Sequence, residues 1–297
     1  MKKIEITVRT LTDTLTYARS LPPQKKIWGD LICDNQIIHF PAERGTGKTM
    51  LLMQLLYGVS GGLHEFCGFP ISEFGCVLFI NYEIPERLFA PRFLKIFGNL
   101  PQAKFEYKII HALGKTFSTS LAEIEKALID FKPVLVVIDS WQLAFADVDN
   151  NKANATAAAV MQIRQMAEQY SCAIIVADHL RKGTKYESTD SDLQSGSGVK
   201  SNFFDQDFFL RRSTQNKQFR VITRSKYRYS AEEEGSTLVR LNPDTIFFEL
   251  IEKNVDETEH LIDPAFLKAR NLKKEGKSLR QIAQETGLAK SSLHRNL

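Results

Sequence analysis

The chain has 297 residues, 43% of them hydrophobic, which is enough for one large α/β domain with a small additional unit. Its four cysteines are scattered without CxxC spacing, so the sequence predicts neither a zinc site nor a disulfide framework. No signal-peptide pattern opens the chain, and no apolar run approaches the length of about 18 residues that a membrane span needs. We therefore expect a cytoplasmic protein with no membrane partner.

The net charge of +4 is unevenly distributed along the chain. Residues 265–297 contain eight Lys or Arg and two Asp or Glu, a net charge of +6, which leaves −2 for the remainder. A basic end on a near-neutral body is typical of a unit that binds a polyanion. A solvated helical face is the alternative interpretation of the same composition.

After a lead-in of about 30 residues, apolar runs alternate with helical patterns. The predicted strands are Ile37–Phe40, Val77–Ile80, Lys108–His111, Val134–Ile138 and Ala173–Val176. The predicted helices are Lys48–Tyr57, Pro85–Phe97, Ser120–Phe131 and Ala153–Tyr170. Continuous apolar strands separated by helices predict an α/β fold, with a mainly parallel sheet flanked by helices on both faces.

The pattern changes after residue 178. Residues 183–202 are rich in Ser, Gly, Thr and Asp and predict a loop. Antiparallel strands are predicted at Phe208–Leu210, Phe219–Thr223 and Ile246–Leu250. A turn is predicted at Glu232–Gly235. We accordingly divide the chain into a domain of residues 1–251, a polar linker of residues 252–264 and a helical unit of residues 265–297.

The segment Ala42–Thr49, with the sequence AERGTGKT, joins the first predicted strand to the first predicted helix. Such a loop wraps its backbone N–H groups around phosphates at the N-terminus of the helix. Lys48 would neutralise the β- and γ-phosphates of ATP, and the Thr49 hydroxyl would bind Mg²⁺. Ala42 stands where the usual pattern has glycine, a position that requires a small side chain. The predicted nucleotide-binding residues are Ala42, Glu43, Arg44, Gly45, Thr46, Gly47, Lys48, Thr49 and Met50.

Polar residues follow three of the predicted strands, where ligands bind in parallel sheets. Asp139 is predicted to hold Mg²⁺, directly or through water, with a turn-capping carboxylate as the alternative. Glu83 is predicted to position the attacking water, and Glu86 is its nearest competitor. His179 is predicted to sense the γ-phosphate, although a lone histidine at this position is also compatible with a structural role.

Two cations, Lys226 and Arg228, are separated by one residue at the end of a predicted strand. Alternation along the strand places them on one face. Cations supplied by a neighbouring subunit would stabilise the charge of the transition state. The alternative is an exposed basic strand end.

These motifs resemble those of the RecA-like ATPases and, within them, the hexameric plasmid replicative helicases of the RepA type. The resemblance covers roughly residues 20–250 and rests on Ala42–Thr49, Val77–Arg92, Val134–Ser140, Ile174–Gly183 and Lys226–Arg228. It implies that Glu83 is the catalytic glutamate and that His179 is the sensor. It also implies that Lys226 and Arg228 act on the neighbouring subunit, and that residues 183–200 meet single-stranded DNA in the channel of a ring.

The C-terminal unit has a helix-turn-helix pattern and resembles the DNA-binding ends of resolvase-type recombinases. Ala283 allows two helices to cross closely, and Gly287 can take the left-handed turn between them. The second helix would present five side chains to the major groove of double-stranded DNA: Lys290, Ser291, Ser292, His294 and Arg295. The alternative is a helical hairpin that only docks on the larger domain.

Taken together, the motifs predict an ATPase that uses ATP and Mg²⁺ and acts on DNA. The resemblance implies a ring-forming helicase or motor, with a hexamer as the ring of the family, that acts in the replication or mobilisation of a plasmid-like element. One alternative is an accessory ATPase of DNA repair or recombination that does not unwind DNA. The other is a DNA-binding regulator whose assembly ATP controls.

Overall fold

The computed structural model describes residues 6–150, 152–180, 199–227 and 235–297. The strands are β1 (Lys26–Trp28), β2 (Ile32–Cys33), β3 (Ile37–Ala42), β4 (Glu65–Phe66), β5 (Phe69–Pro70), β6 (Val77–Asn81), β7 (Tyr107–His111), β8 (Leu135–Asp139), β9 (Ala173–His179), β10 (Gln206–Arg212), β11 (Phe219–Tyr227), β12 (Ser236–Leu241) and β13 (Phe248–Val255).

The helices are α1 (Leu11–Ser20), α2 (Lys48–Tyr57), α3 (Glu86–Phe97), α4 (Phe117–Phe131), α5 (Trp141–Ala144), α6 (Ala153–Tyr170), α7 (Val199–Phe203), α8 (Glu257–Leu261), α9 (Pro264–Lys274), α10 (Leu279–Thr286) and α11 (Lys290–Asn296). A short π-helical turn, Gly58–Gly62, extends α2. Within the described ranges, none of these helices has both the length and the apolar character needed to cross a membrane.

A nine-stranded sheet of order β13-β12-β11-β10-β3-β9-β8-β6-β7 forms the centre of the fold. The six strands from β10 to β7 in this order pair in parallel. The strands β11, β12 and β13 extend the sheet in antiparallel fashion beyond β10. The prediction of a mainly parallel sheet with antiparallel strands toward the C-terminus is therefore confirmed.

Both faces of the parallel part are covered, and this explains its continuous apolar strands. On β6, Phe79 belongs to the same buried cluster as Leu51 and Leu55 of α2. Its neighbour Ile80 belongs to the opposite cluster, together with Ile163 of α6. Successive strand residues point to opposite faces, so most residues of such a strand are apolar.

The structure contains elements that were not predicted, among them α1, β1, β2, β4 and β5, and it differs from the prediction in four further places after residue 178. The strand β12 was not predicted, and β13 begins at Phe248 because Ile246 has a left-handed φ of 58° that ends the extended run. Helix α7 lies inside the segment predicted as a loop up to residue 202. The predicted linker of residues 252–264 contains the end of β13 and all of α8. The turn predicted before Gly235 lies outside the described residues.

Helices α9, α10 and α11 share a small core of their own. Phe266, Ile282 and Leu293, one from each helix, are buried in it. Helix α10 begins with a capping box in which Ser278 and Gln281 satisfy each other's backbone N–H groups. It ends at Gly287, whose φ of 72° is in the left-handed region that glycine tolerates. The predicted left-handed turn at Gly287 thus lies between α10 and α11 in the structure.

The three-helix unit joins the sheet through α8. The backbone N–H of Thr214, in the turn between β10 and β11, donates to the carbonyl of His260 at 2.7 Å. The Thr214 hydroxyl lies 3.1 Å from the carbonyl of Ile262. This turn lies at the same sheet edge as the end of β3, because β10 runs parallel to β3.

The buried side chain of Gln54 ties α2 to the turn between β12 and β13. Its Nε2 donates to the carbonyl of Ile246 at 2.7 Å, and its Oε1 accepts from the N–H of Phe248 at 2.9 Å. We predict that Gln54→Met lowers the free energy of unfolding by about 2–4 kcal/mol, because it leaves two backbone groups unpaired. Urea denaturation measures this change.

Gln284, which is exposed on α10, supplies the matched control for this substitution. Gln284→Met should change the free energy of unfolding by less than about 0.5 kcal/mol. Equal effects of the two substitutions would show that the bridge made by Gln54 contributes nothing.

Candidate active site

The loop between β3 and α2 has the backbone shape that its glycines allow. Gly45 and Gly47 have φ values of 71° and 96°, which a side chain would strain. Thr46 is buried, and its hydroxyl donates to the carbonyl of Glu43 at 2.9 Å, which tightens the loop. The loop therefore connects the end of β3 to the N-terminus of α2. The free backbone N–H groups at a helix N-terminus stabilise a bound anion.

Two arginines that sequence reasoning missed hold this loop. Arg212 Nη2 donates to the carbonyl of Gly45 at 2.7 Å, and Arg220 Nε donates to the carbonyl of Thr46 at 2.8 Å. They come from the end of β10 and the start of β11, which the parallel pairing of β10 with β3 brings beside the loop. The sequence offers only a weak signal for them, since each arginine lies at or next to a predicted antiparallel strand.

Lys48, Thr49 and Asp139 meet at the start of α2. Lys48 Nζ lies 3.3 Å from Asp139 Oδ1, and the Thr49 hydroxyl donates to Asp139 Oδ2 at 2.6 Å. Lys48 and Asp139 are both buried. In the structure, the phosphate loop and the end of β8 therefore lie next to each other, as the sequence predicts.

Thr49 and Asp139 fit a Mg²⁺ ion by their chemistry. Both offer hard oxygen atoms, and the buried Asp139 Oδ1 has no hydrogen-bond partner among the described residues. The described residues contain no group of three or more His, Cys, Asp or Glu side chains that could hold a metal. In the usual Mg²⁺ site of a phosphate-binding loop, substrate oxygens and water complete the coordination.

Asn81, which sequence reasoning also missed, shapes the segment that carries Glu83. Its side-chain Oδ1 accepts from the N–H of Glu83 at 3.2 Å and from the N–H of Ile84 at 2.9 Å. This Asx turn redirects the chain at the end of β6. The Tyr82 N–H donates to the carbonyl of Asp139 at 2.8 Å and ties the turn to the end of β8.

Glu83 faces His179 across the site. His179 Nε2 and Glu83 Oε2 are 3.6 Å apart. The interaction with His179 lowers the pKa of Glu83 to about 2, and the charge of Lys48 and the hydroxyl of Ser140 act in the same direction, although partial burial opposes them. Glu83 is consequently a carboxylate at neutral pH, as a group that orients water or accepts a proton has to be.

His179 reaches this position through strand register. It is the last residue of β9 and pairs with Ala42, the last residue of β3. The end of β9 therefore lies directly beside the start of the phosphate loop. By contrast Glu86, the competing candidate, is exposed in the first turn of α3 and has no contact with His179 in the described structure.

The other predicted site residues are not brought to this place. Lys226 pairs with Asp207, which in turn pairs with His39, so its backbone is level with the middle of β3 and three residues short of Ala42. The distance from His39 to Ala42 along the strand is about 10 Å. Arg228 lies outside the described residues, as does most of the predicted DNA loop of residues 183–200.

The remaining predicted residues have the following positions. Arg44 is exposed and Met50 is half-buried beside the loop. All five predicted DNA-binding residues lie on α11, where Lys290 and His294 are exposed. For Arg295 only the helical position is described.

The chain matches the AAA domain family over residues 5–185, which is more than half of its length, and it belongs to this family. Membership shows a P-loop ATPase domain that binds nucleotide, and such domains typically use Mg²⁺. The matched range contains the phosphate loop, Glu83, Asp139 and His179. A search of curated proteins finds no match to the chain.

We predict that Glu83→Gln lowers kcat for ATP hydrolysis by about 10²- to 10⁴-fold, because the amide cannot accept a proton from water. Affinity for ATP should change little, since the phosphate loop is intact. Steady-state ATPase assays and titration with a fluorescent ATP analogue measure the two quantities.

Glu86→Gln is the matched control, since it makes the same chemical change three residues away on an exposed position. It should keep kcat within about twofold of the unsubstituted protein. A larger loss of kcat in Glu86→Gln than in Glu83→Gln would reverse the assignment.

Proposed function

We propose that this protein is a Mg²⁺-dependent ATPase that acts on DNA, as a ring-forming helicase or motor in the replication or mobilisation of a plasmid-like element. The observation that carries the proposal is the ionised Glu83 facing His179 beside the pair of Lys48 and Asp139. A phosphate-binding lysine, a water-orienting carboxylate and a sensor are thus at one sheet edge.

The residues divide the chemistry as follows. The backbone N–H groups of the loop and Lys48 bind the phosphates. Mg²⁺, when bound by Thr49 and Asp139, neutralises charge that develops on the phosphate oxygens. Glu83 orients the attacking water and takes its proton. His179 is within reach of the γ-phosphate, and loss of that phosphate would change the contact between His179 and Glu83.

Strand register supports an assembly of several copies. The backbone of Lys226 is level with His39 of β3, about 10 Å from the residue at which the phosphate loop of its own chain begins. A contribution of Lys226 to the phosphate site of a second copy of the chain, as in a ring, fits this backbone register. This arrangement is the one in which a cation completes the site of a neighbour.

The C-terminal unit supports a DNA partner. It has a net charge of +6, and Leu293 anchors α11 to the small core while Lys290 and His294 stay exposed. Two helices joined by a tight glycine turn are the geometry of a helix-turn-helix, whose second helix enters the major groove of double-stranded DNA. Single-stranded DNA would be the partner of the ring.

We predict that single-stranded DNA raises kcat for ATP hydrolysis several-fold, because a motor hydrolyses ATP fastest when it is engaged with its track. The measurement is a steady-state ATPase assay with increasing single-stranded DNA, with Glu83→Gln as the variant that removes hydrolysis. A strand-displacement assay then tests for unwinding.

The other outcomes of this assay have definite meanings. Stimulation without strand displacement would favour the accessory ATPase of repair or recombination. Slow hydrolysis that ignores DNA, together with strong sequence preference in duplex binding, would favour the ATP-gated regulator. Either result would contradict the helicase.

We predict that Lys290→Ala weakens the binding of double-stranded DNA at all sequences and reduces the slope of log affinity against log salt by about 1, because one phosphate contact is lost. Fluorescence anisotropy at several salt concentrations measures both quantities. Lys126→Ala removes an exposed helical lysine of α4 and should leave both unchanged. Equal effects would refute a specific role of α11.

A further inference from the structure

A cluster of charged residues lies fully inside the protein behind the candidate active site. It consists of His39 on β3, Asp178 on β9, Asp207 on β10 and Lys200 on α7, each with at most 1% of its surface exposed. Buried charges are costly unless they are paired. The phosphate loop, the metal site and the predicted sensor do not by themselves account for this cluster.

His39 connects the two carboxylates. Its Nε2 lies 3.2 Å from Asp178 Oδ2, and its Nδ1 lies 3.2 Å from Asp207 Oδ1. Ionised carboxylates accept hydrogen bonds, so two of them around one ring favour the form of His39 in which both nitrogens donate. Burial acts to lower the pKa of His39, but the two carboxylates outweigh it and raise the pKa above its ordinary value. The ring also stacks on Phe204, with centroids 5.1 Å apart.

Lys200 holds the same oxygen of Asp178 from a different element. Its Nζ donates to Asp178 Oδ2 at 2.9 Å and lies 4.8 Å from the centre of the Trp141 ring. Lys200 belongs to α7, and Trp141 follows Asp139 by two residues. His39 and Lys200, from two different elements, therefore both contact Asp178 Oδ2. These two contacts restrict the rotation of the Asp178 side chain.

The other atoms of Asp178 touch the active site. Its Oδ1 accepts from the backbone N–H of His179 at 2.7 Å. Its backbone carbonyl lies 3.4 Å from Lys48 Nζ, within hydrogen-bond reach. A change in the orientation of Asp178 would therefore be transmitted first to His179, through the shorter contact, and more weakly to Lys48.

We propose that Asp178 is a positioning residue for ATP hydrolysis, and that Lys200 and His39 hold its carboxylate in the orientation that fixes His179 opposite Glu83. The proposal rests on the assigned roles of Glu83 and His179 in hydrolysis, and it is independent of DNA. Its tests are made without DNA, so they stand whether or not the protein proves to be a motor.

The first test is the effect of Asp178→Asn and Lys200→Met on hydrolysis. Each variant should lower kcat by about 10- to 100-fold, since small misplacements near the reacting atoms have effects of this size. KM for ATP should stay within about threefold, because the stronger contact of Asp178 is with His179. Lys200→Arg, which keeps the cation, should recover most of the lost kcat.

The matched control is Asp205→Asn. Asp205 is also a buried carboxylate that accepts a backbone N–H, from Ile37 at 2.9 Å, and pairs with a cation, Arg164. It lies at the end of β3 remote from the phosphate loop. Asp205→Asn should lower the melting temperature as Asp178→Asn does, yet keep kcat within about threefold. Equal losses of kcat would overturn the proposal.

The second test asks whether Asp178 acts through His179. If it does, the double variant Asp178→Asn/His179→Ala should have the same kcat as His179→Ala alone. If kcat of the double variant fell by the product of the two single-variant losses, Asp178 would affect hydrolysis by another route. This result would overturn the proposal. An unchanged kcat in His179→Ala would overturn it as well, through failure of the role assigned to His179.

Lys200→Met also serves if Asp178→Asn does not fold. It leaves the carboxylate and its bonds to His39 and His179 in place and removes one cation. Thermal melting identifies the folded variants. A folded Lys200→Met protein with an unchanged kcat would contradict the proposed role of Lys200.

Discussion

The parallel pairing of β3 with β9 is the constraint on which the candidate site depends. It places Ala42 directly beside His179, so the phosphate loop and the predicted sensor start from neighbouring strand ends. The next pairings, β9 with β8 and β8 with β6, bring Asp139 and Asn81 to the same edge. The carboxyl ends of parallel strands lie at the same edge of the sheet. Four segments that are far apart in the sequence therefore meet there.

Charge balance at this edge is as important as proximity. Lys48 is buried against Asp139, and His179 and Lys48 lower the pKa of Glu83. Behind them, the cluster of His39, Asp178, Asp207 and Lys200 also pairs cations with carboxylates. In a low-dielectric interior such pairing restrains side chains strongly, because any reorientation exposes an uncompensated charge.

The antiparallel part of the sheet contributes to the same loop from the other side. Arg212 and Arg220 engage the outer carbonyls of the phosphate loop, and the turn between them contacts the segment that leads to the three-helix unit. The hydrogen bonds of Thr214 to this segment thus lie two residues from the bond of Arg212 to the loop. The C-terminal unit and the nucleotide site are joined by one short stretch of structure.

Local sequence determined the elements whose signals are local. The glycine-rich loop, the apolar strands around it and the turn at Gly287 follow from residue type and spacing, since φ preferences and periodicity act within a few residues. Strand register and the buried partners of Asp178 were decided only by tertiary structure. Those contacts join residues that are up to 168 positions apart, as His39 and Asp207 are, and a hydrogen bond between them leaves no periodic pattern in either segment.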